Sequence, residues 1–456
     1  MIPSAKIAEA SSRTETTDLG ADLTAQLRFI KKRASGSFAV KVLGTGVGFA
    51  VHLAIARIIG VAAYGIYALM LSWVSVLAVT AQFGQDNGVL HFLPKYGVAG
   101  QWGLIRGLRR GSGLLVLGSS LLISAVGVAY VHWHMALRSV ALTRTFDIGF
   151  LLLLVLAQLQ QSGALHRALK QAAESDLYVV IVRPVALLVL IVFVYVLSPS
   201  LLTAPFAAAL SLIAAAVALI FSALRLRTHW PRQARNAQPE YHVGAWLKVG
   251  AQLSVLSVMM VTSISIGSLV IGAFLGASRV GPYYAAVQIA GIASFGINAI
   301  NAVLAPMIAE YYAAGRLEML AQMMRRAARI TFVATSVLTA GLAISGRFLL
   351  GLFGPGFVEA YVPLLILLVG EWLITCAGSV GFLLTMTRFQ KQAPLIFLCG
   401  LITNLILAAI LVPVLGLTGM ALSTVAGWMV WNLIALVFVY RRLQINPTVF
   451  QRLRFG

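Results

Sequence analysis

Charge is scarce in this sequence: Asp, Glu, Lys and Arg make up 10% of the 456 residues, against 60% hydrophobic. Soluble chains are about 45–50% apolar and about 25% charged, so there is too little polar surface here to clothe soluble domains of this total length. Acids are scarcer still, 13 Asp and Glu against 34 Lys and Arg. Cysteine is nearly absent: Cys376 and Cys399 both lie in apolar stretches. That excludes a disulfide framework or a site of paired cysteines and leaves two small buried hydrophobes. No G-x-x-x-x-G-K-[ST] sequence occurs, so the phosphate-cradling loop of an ATPase is missing. The seven histidines are scattered, and His132 and His134 do not share a helix face, so no metal or other cofactor is expected.

What is present is long apolar runs. Mean hydropathy is +0.92. A bilayer crossing needs about 20 mostly apolar residues, and such runs lie near 36–59, 64–92, 111–135, 146–169, 177–197, 200–224, 246–275, 281–309, 330–353, 361–387, 392–413 and 416–440. The expected fold is an all-α polytopic membrane protein of twelve transmembrane helices. The net charge of +21 would point to nucleic acid in a soluble protein. Here the basic residues sit in short loops, where they orient helices and touch anionic lipid headgroups, so nucleic acid is not an expected partner.

The first 35 residues are polar and end near Lys31, Lys32 and Arg33, with no short apolar core before a cleavage site; they read as a cytoplasmic tail. Within it Leu23, Leu27 and Ile30 recur at helical spacing, as in a short amphipathic helix on the inner leaflet. Lys and Arg collect in cytoplasmic loops. Of the 34, 26 fall in the two tails and the loops after even-numbered spans, whereas the opposite loops hold only Arg138, Arg144 and Arg279. Both termini are therefore expected inside.

A shift of 216 residues superimposes two halves. Gly60, Gly65 and Tyr67 fall on Gly276, Gly281 and Tyr283; Tyr96 falls on Tyr312, Arg109 and Arg110 on Arg325 and Arg326, and Arg225 on Arg441. Six is even, so the halves enter the membrane in the same direction and pair about a pseudo-two-fold axis along its normal. The expected organisation is a tail over 1–35, a six-helix lobe over 36–224, a cytoplasmic linker over 225–245 with Pro231 and Pro239, a second lobe over 246–440 and a tail over 441–456.

A charge at bilayer depth costs at least about 2.5 kcal/mol, so each one within a span asks for a role. Lys41 and Arg57 in span 1, Asp86 in span 2, Arg183 in span 5 and Glu371 in span 10 are such charges. Snorkelling to the headgroups is the plain alternative for Lys41 and Arg57, and a neutral helix-to-helix hydrogen bond is the alternative for Asp86 and Glu371. Lys41 and Asp86 lie at comparable depth and can pair. The shift places them on Ser257 and Ala302, Arg183 on Cys399, and Glu371 back on Val155. Charges absent from the sister half are not needed to fold one half. Three cations in a low-dielectric cavity suit a phosphate or pyrophosphate. Polar cavity candidates are Gln85, Asn298, Asn301 and Asn404, groups that bind sugar hydroxyls or hold helices together. Gly44 with Gly48, and Gly272 with Gly276, have the four-residue spacing of close helix approach.

The segment from Gly60 to Tyr67, the run Gln82-Phe-Gly84-Gln-Asp86, Phe92 to Tyr96, Leu165 to Lys170 and Thr387 to Lys391 together resemble the polysaccharide transporter branch, or Wzx-type flippases, of the multidrug, oligosaccharidyl-lipid and polysaccharide (MOP) exporter superfamily. The resemblance covers nearly the whole chain. It implies two helical bundles around a cationic cavity and alternating access. The implied activity is flipping of undecaprenyl-pyrophosphate-linked oligosaccharide repeat units for O-antigen, capsule or exopolysaccharide assembly. In that setting Arg57, Arg183 and Lys41 would bind pyrophosphate, and Asp86 or Glu371 would respond to a counter-ion. A polysaccharide polymerase complex is the expected machinery around it. An enzyme on lipid-linked sugars would need acids or bases in sizeable loops, and the outer loops are short and nearly free of acids. A drug/cation exporter of the same superfamily should bind organic cations and present acids and aromatics rather than three cations. A non-transporting scaffold of a polymerase complex would need no charged interior.

Overall fold

The apolar runs fold as helices end to end. In a computed structural model, the residues described are 5–134 and 139–449, with side chains from 40 onward except those of 41, 172, 295, 296, 298, 299, 302, 303 and 306. In order, the helices are α1 (Ala5–Gln82), α2 (Gln85–Val98), α3 (Trp102–His134), α4 (Val140–Ala168), α5 (Ala172–Asp176), a π-helical turn (Leu177–Val182), α6 (Arg183–Leu197), α7 (Ala204–His229), α8 (Arg232–Asn236) and α9 (Val243–Phe274). Then come α10 (Val280–Ala293), α11 (Phe295–Ala313), α12 (Leu317–Phe353), α13 (Tyr361–Ala377), α14 (Val380–Thr385) and α15 (Ala393–Leu443). Single turns of 3₁₀ helix stand at Pro199–Leu201, Ala277–Arg279 and Pro355–Ala360. Among the described residues every regular element is helical, as the composition predicts. Only helices and closed barrels satisfy their own backbone in lipid.

Nine of these runs are long and apolar enough to cross a membrane. Two of them are double: α1 turns at Gly60 (φ 80°, ψ 173°) and α15 at Gly416 (φ 58°, ψ −130°). Both are left-handed backbone positions, where glycine is at home. The α10–α11 pair supplies one further crossing, so the helices accommodate the twelve expected. Helix ends carrying Lys95, Arg109, Arg167, Arg227, Arg326 and Arg441 come together on one side, here termed the basic side; the corners at Gly60, Gly276 and Gly416 lie on the far side.

Three spans are not continuous, contrary to their apolar runs. The expected helix over 64–92 breaks at Phe83 and Gly84 (φ 47° and 70°). The run over 281–309 breaks at Ser294, between α10 and α11, and the run over 361–387 at Gly378 (φ 72°). Hydropathy reads the length of an apolar run and is blind to such local turns.

The backbone corner repeats with the 216-residue shift, and so does a buried tyrosine hydroxyl, whose partner in the second half stands three residues before the shift-related position. Gly60 at φ 80° has its counterpart in Gly276 at φ 89°. Tyr67 bonds Ser211 at 2.8 Å, and its counterpart Tyr283 bonds Thr424 at 3.2 Å. The contact between halves is reciprocal as well. A Cβ on Gly65 would lie 2.2 Å from the Ala277 carbonyl oxygen, and one on Gly281 would lie 2.8 Å from that of Val61. Gly65 and Gly281 are related by the shift, as are Val61 and Ala277.

The two sides are packed differently. Toward the far side one core joins both halves, with Ile55, Tyr64 and Tyr67 against Ile271, Tyr283, Phe353 and Phe357. Toward the basic side the core divides. One cluster, with Leu304, Leu320, Leu383 and Val439, belongs to the second half. The other, with Phe92, Leu104, Leu226 and Trp230, belongs to the first and takes in Trp246 of α9. The α2–α9 seam persists there: Trp246 donates to the Tyr96 hydroxyl at 3.1 Å, and a Cβ on Gly84 would meet the Gly250 carbonyl.

Candidate functional site

Arg183 begins α6, preceded by the π-helical turn and followed by Pro184. Proline lacks an N–H and its ring crowds the carbonyl four residues back, which is that of Val180. The widened turn turns this carbonyl toward α1, where a Cβ on Gly44 would come within 2.4 Å of it. Gly44 therefore serves the close approach its spacing predicts, but Gly48 has nothing within 4 Å. Gly272 faces Leu69, whereas Gly276 sits in the far-side corner.

The Arg183 guanidinium is close enough to His52, Tyr67 and Tyr284 to interact with them electrostatically. These residues come from α1 and α10, so the charge faces both halves. His52 Nδ1 and the Tyr64 hydroxyl are 3.2 Å apart, and the His52 and Tyr284 rings are 5.4 Å apart by centroid. Among the described residues Arg183 makes no salt bridge. The result is one cation at mid-span ringed by phenols and an imidazole, groups that donate hydrogen bonds to an anion or a hydroxyl.

One turn below Arg183 on the same helix, Val179 and Val180 border a cavity of about 290 Å³. Its polar lining includes Gln82, Asp86, Gln160, Arg167, Asp176 and Ser257. Gln82 donates to Gln160, Arg167 donates to Ser175 at 2.9 Å, and Asn87 bridges Asp86 and Ser257 at 3.4 Å each. The charge nearest to Asp86 in effect is Arg167. Asp86 lies in the first turn of α2, where the helix N-terminus favours a carboxylate.

The remaining expected residues are dispersed. Arg57 is exposed one turn before Gly60 and donates to the Gly351 carbonyl at 3.4 Å, in the last turn of α12. On α1 it lies five residues past His52 toward the Gly60 corner, about 7.5 Å at 1.5 Å per residue. Arg57 thus contacts Gly351 and Arg183 interacts with Tyr67 and Tyr284, and the side chain of Lys41 lies outside the described residues. Glu371 stands on α13 beside Ser294, the break between α10 and α11. Gln85 is fully buried in the α2–α9 seam, and its amide finds no partner among the described residues. Asn301 accepts from Ser379, Asn404 packs on Gly427, and the side chain of Asn298 lies outside the described residues. His52, Tyr284 and Arg167 escape the sequence reading. Tyr283 beside Tyr284 repeats Tyr67, a signal that points to this corner of the second half, whereas Arg167 reads as one more loop cation.

The family described as "Polysaccharide biosynthesis protein" matches residues 30–312, more than half of the chain. No curated protein matches it. Solved structures do. The inward-facing form of a multidrug resistance MATE family transporter of the MOP superfamily is 16% identical with a TM-score of 0.74, covering 90% of this chain and 98% of that one. The outward-facing form of such a transporter gives 0.64 at 16% identity, covering 91% and 96%. A MOP superfamily transporter from Pyrococcus furiosus Vc1, described by the reverse polarity of its binding pocket, gives 0.63 at 16% identity and the same coverage. These likenesses establish a MATE-like helical fold, as the resemblance implies, and the structural neighbours are transporters rather than enzymes. The chain belongs to the polysaccharide biosynthesis protein family and has the fold of the MOP exporters.

Proposed function

We propose that this protein flips an undecaprenyl-pyrophosphate-linked oligosaccharide across the bacterial inner membrane by alternating access between lobes 36–224 and 246–440, with both termini cytoplasmic. The observation that carries the reading is Arg183, without a salt bridge among the described residues and held at mid-span between the halves where the core is closed on one side only. A charge in this place is stabilised by an anion. At about 4 Å and an effective dielectric near 20, one pair of unit charges is worth roughly 4 kcal/mol. Pyrophosphate supplies such an anion, while the hydroxyls of Tyr64, Tyr67 and Tyr284 and the amides of Gln82 and Gln160 suit its neighbouring sugars.

In this reading the shared far-side core is the closed gate and the polar cavity below Arg183 is the cytoplasmic approach. Arg57, tied to Gly351, belongs to the gate and meets substrate as it leaves; Lys41 stands at the cytoplasmic end of span 1. Asp86 and Glu371 are the counter-ion-responsive carboxylates, and Glu371 at the α10–α11 break is placed to bend that span. Inner-leaflet lipids and a polysaccharide polymerase are the partners.

The test is a knockout with complementation, scoring surface polymer and lipid-linked repeat units on the inner leaflet. Wild type should restore polymer. Arg183→Ala, inserted at normal level, should lower export at least tenfold with inner-leaflet accumulation, and Glu371→Gln should lower it severalfold. Intact polymer with Arg183→Ala removes the assignment. New drug sensitivity with intact polymer in the knockout favours a drug exporter.

A further inference from the structure

A second basic site lies away from Arg183, at the junction of the first half with its linker. The first turns of α3 carry Arg106, Arg109 and Arg110, α7 ends in Arg227, and α8 contributes Arg235. Between them is a cavity of about 390 Å³ lined by Arg106, Arg109, Arg110, Trp230, Ala234 and Arg235. Arg109 stacks on buried Trp230, its guanidinium carbon 4.6 Å from the ring centroid. Arg106 donates to the Ala237 carbonyl at 2.6 Å, and Arg235 donates to that of Arg227. These contacts hold three of the guanidinium groups, and Arg106, Arg109, Arg110 and Arg235 all line the cavity.

Arginines 110, 227 and 235 all act on the charge of Arg109. Among the described residues no carboxylate forms an ion pair with Arg106, Arg109, Arg110, Arg227 or Arg235. The linker's acid, Glu240, is seated instead on Gly103, where a Cβ would come within 2.6 Å of its Oε1. The second half shows that such a cluster is not needed to build the bundle. There the shift-related Arg326 borders a cavity lined by Ile300, Leu304, Met319 and Met323, and among the described residues no second arginine lines it.

We infer that this arginine cavity is a phosphate-binding site. Guanidinium forks match phosphate oxygens two at a time, and a tryptophan wall at a helix end is typical of the headgroup level. The phosphate has two sources, the headgroup of an anionic lipid in the adjacent leaflet or a soluble phosphate ester. The site shares no lining residue with the polar cavity under Arg183, and the inference does not rest on the proposed substrate.

The test uses the full chain purified in detergent and stripped of lipid. Phosphatidylglycerol and phosphatidylcholine are titrated by native mass spectrometry, and sodium phosphate and pyrophosphate by thermal shift. Variants are Arg235→Gln, on the exposed linker, and Arg109→Gln with Arg235→Gln; the control is Arg325→Gln with Arg326→Gln, which removes equal charge from the sister position. The expected result is tight phosphatidylglycerol binding weakened about tenfold by the double variant and unchanged by the control, which assigns a lipid headgroup. Pyrophosphate stabilisation lost in the same variants assigns a soluble ester and also supports the site. Equal binding of every probe by wild type and both variants, or an equal loss in the control, overturns it.

Discussion

At the scale of single residues, the proposed function turns on Arg183 and Gly65. A charge at bilayer depth is expensive, yet among the described residues Arg183 has no carboxylate paired with it, and it opens α6 rather than ending it. Its phenol and imidazole neighbours are polar but bring no compensating charge, and in the proposed function the substrate's anion supplies it. Gly65 works by having no side chain. Its would-be Cβ falls 2.2 Å from the Ala277 oxygen, so Gly65→Val must push the halves apart at the far side. We expect transport to fall at least tenfold while insertion is kept, with increased far-side labelling by a membrane-impermeant thiol reagent at an introduced cysteine. Gly48→Val, in open space, should remain near wild type.

Among the elements, the π-helical turn before α6 is the most consequential. π-turns inside α-helices occur often at functional sites, and this one sets the rotation of Arg183 about its helix. Pro184→Ala restores the missing N–H and allows a regular helix, which turns Arg183 by up to about 100°. The expected outcome is unchanged or higher thermal stability with transport lowered severalfold; undiminished transport would mean that the turn does not aim Arg183. The spans themselves were legible because twenty apolar residues admit little besides a helix. The breaks at Phe83–Gly84 and Gly378 were not, because an apolar average hides a left-handed residue, nor was the turn at Ser294, where the backbone stays right-handed and only the helical hydrogen bonding is interrupted. In the site, Arg183, Asp86 and Glu371 stood out as charges among apolar neighbours, whereas their surroundings did not. Arg183 meets His52 and Tyr284 from more than 100 residues away along the chain, and no local pattern marks that meeting. Arg57 shows the reverse: its charge is conspicuous in the run, but its depth takes it to Gly351.

For the whole molecule, one shared core on the far side and two separate cores on the basic side describe a body closed at one end. The reciprocal contacts of Gly65 with Ala277 and Gly281 with Val61 place the closing surface about the pseudo-two-fold axis, so each half contributes the same surface to the gate. A short thiol crosslinker joining Val61→Cys to Ala277→Cys, with Cys376 and Cys399 replaced by serine, should hold that gate shut. Transport should then stop and return on cleavage of the linker; continued transport in the crosslinked protein would show that the far side need not open. The central claim is that an anionic lipid-linked oligosaccharide passes an Arg183-centred site, and it is tested most directly in proteoliposomes by the appearance of undecaprenyl-pyrophosphate-linked oligosaccharide in the opposite leaflet. The account predicts protein-dependent translocation by wild type, reduced at least tenfold in Arg183→Ala and partly kept in Arg183→Lys. Equal translocation by wild type and Arg183→Ala, or by empty liposomes, would contradict it.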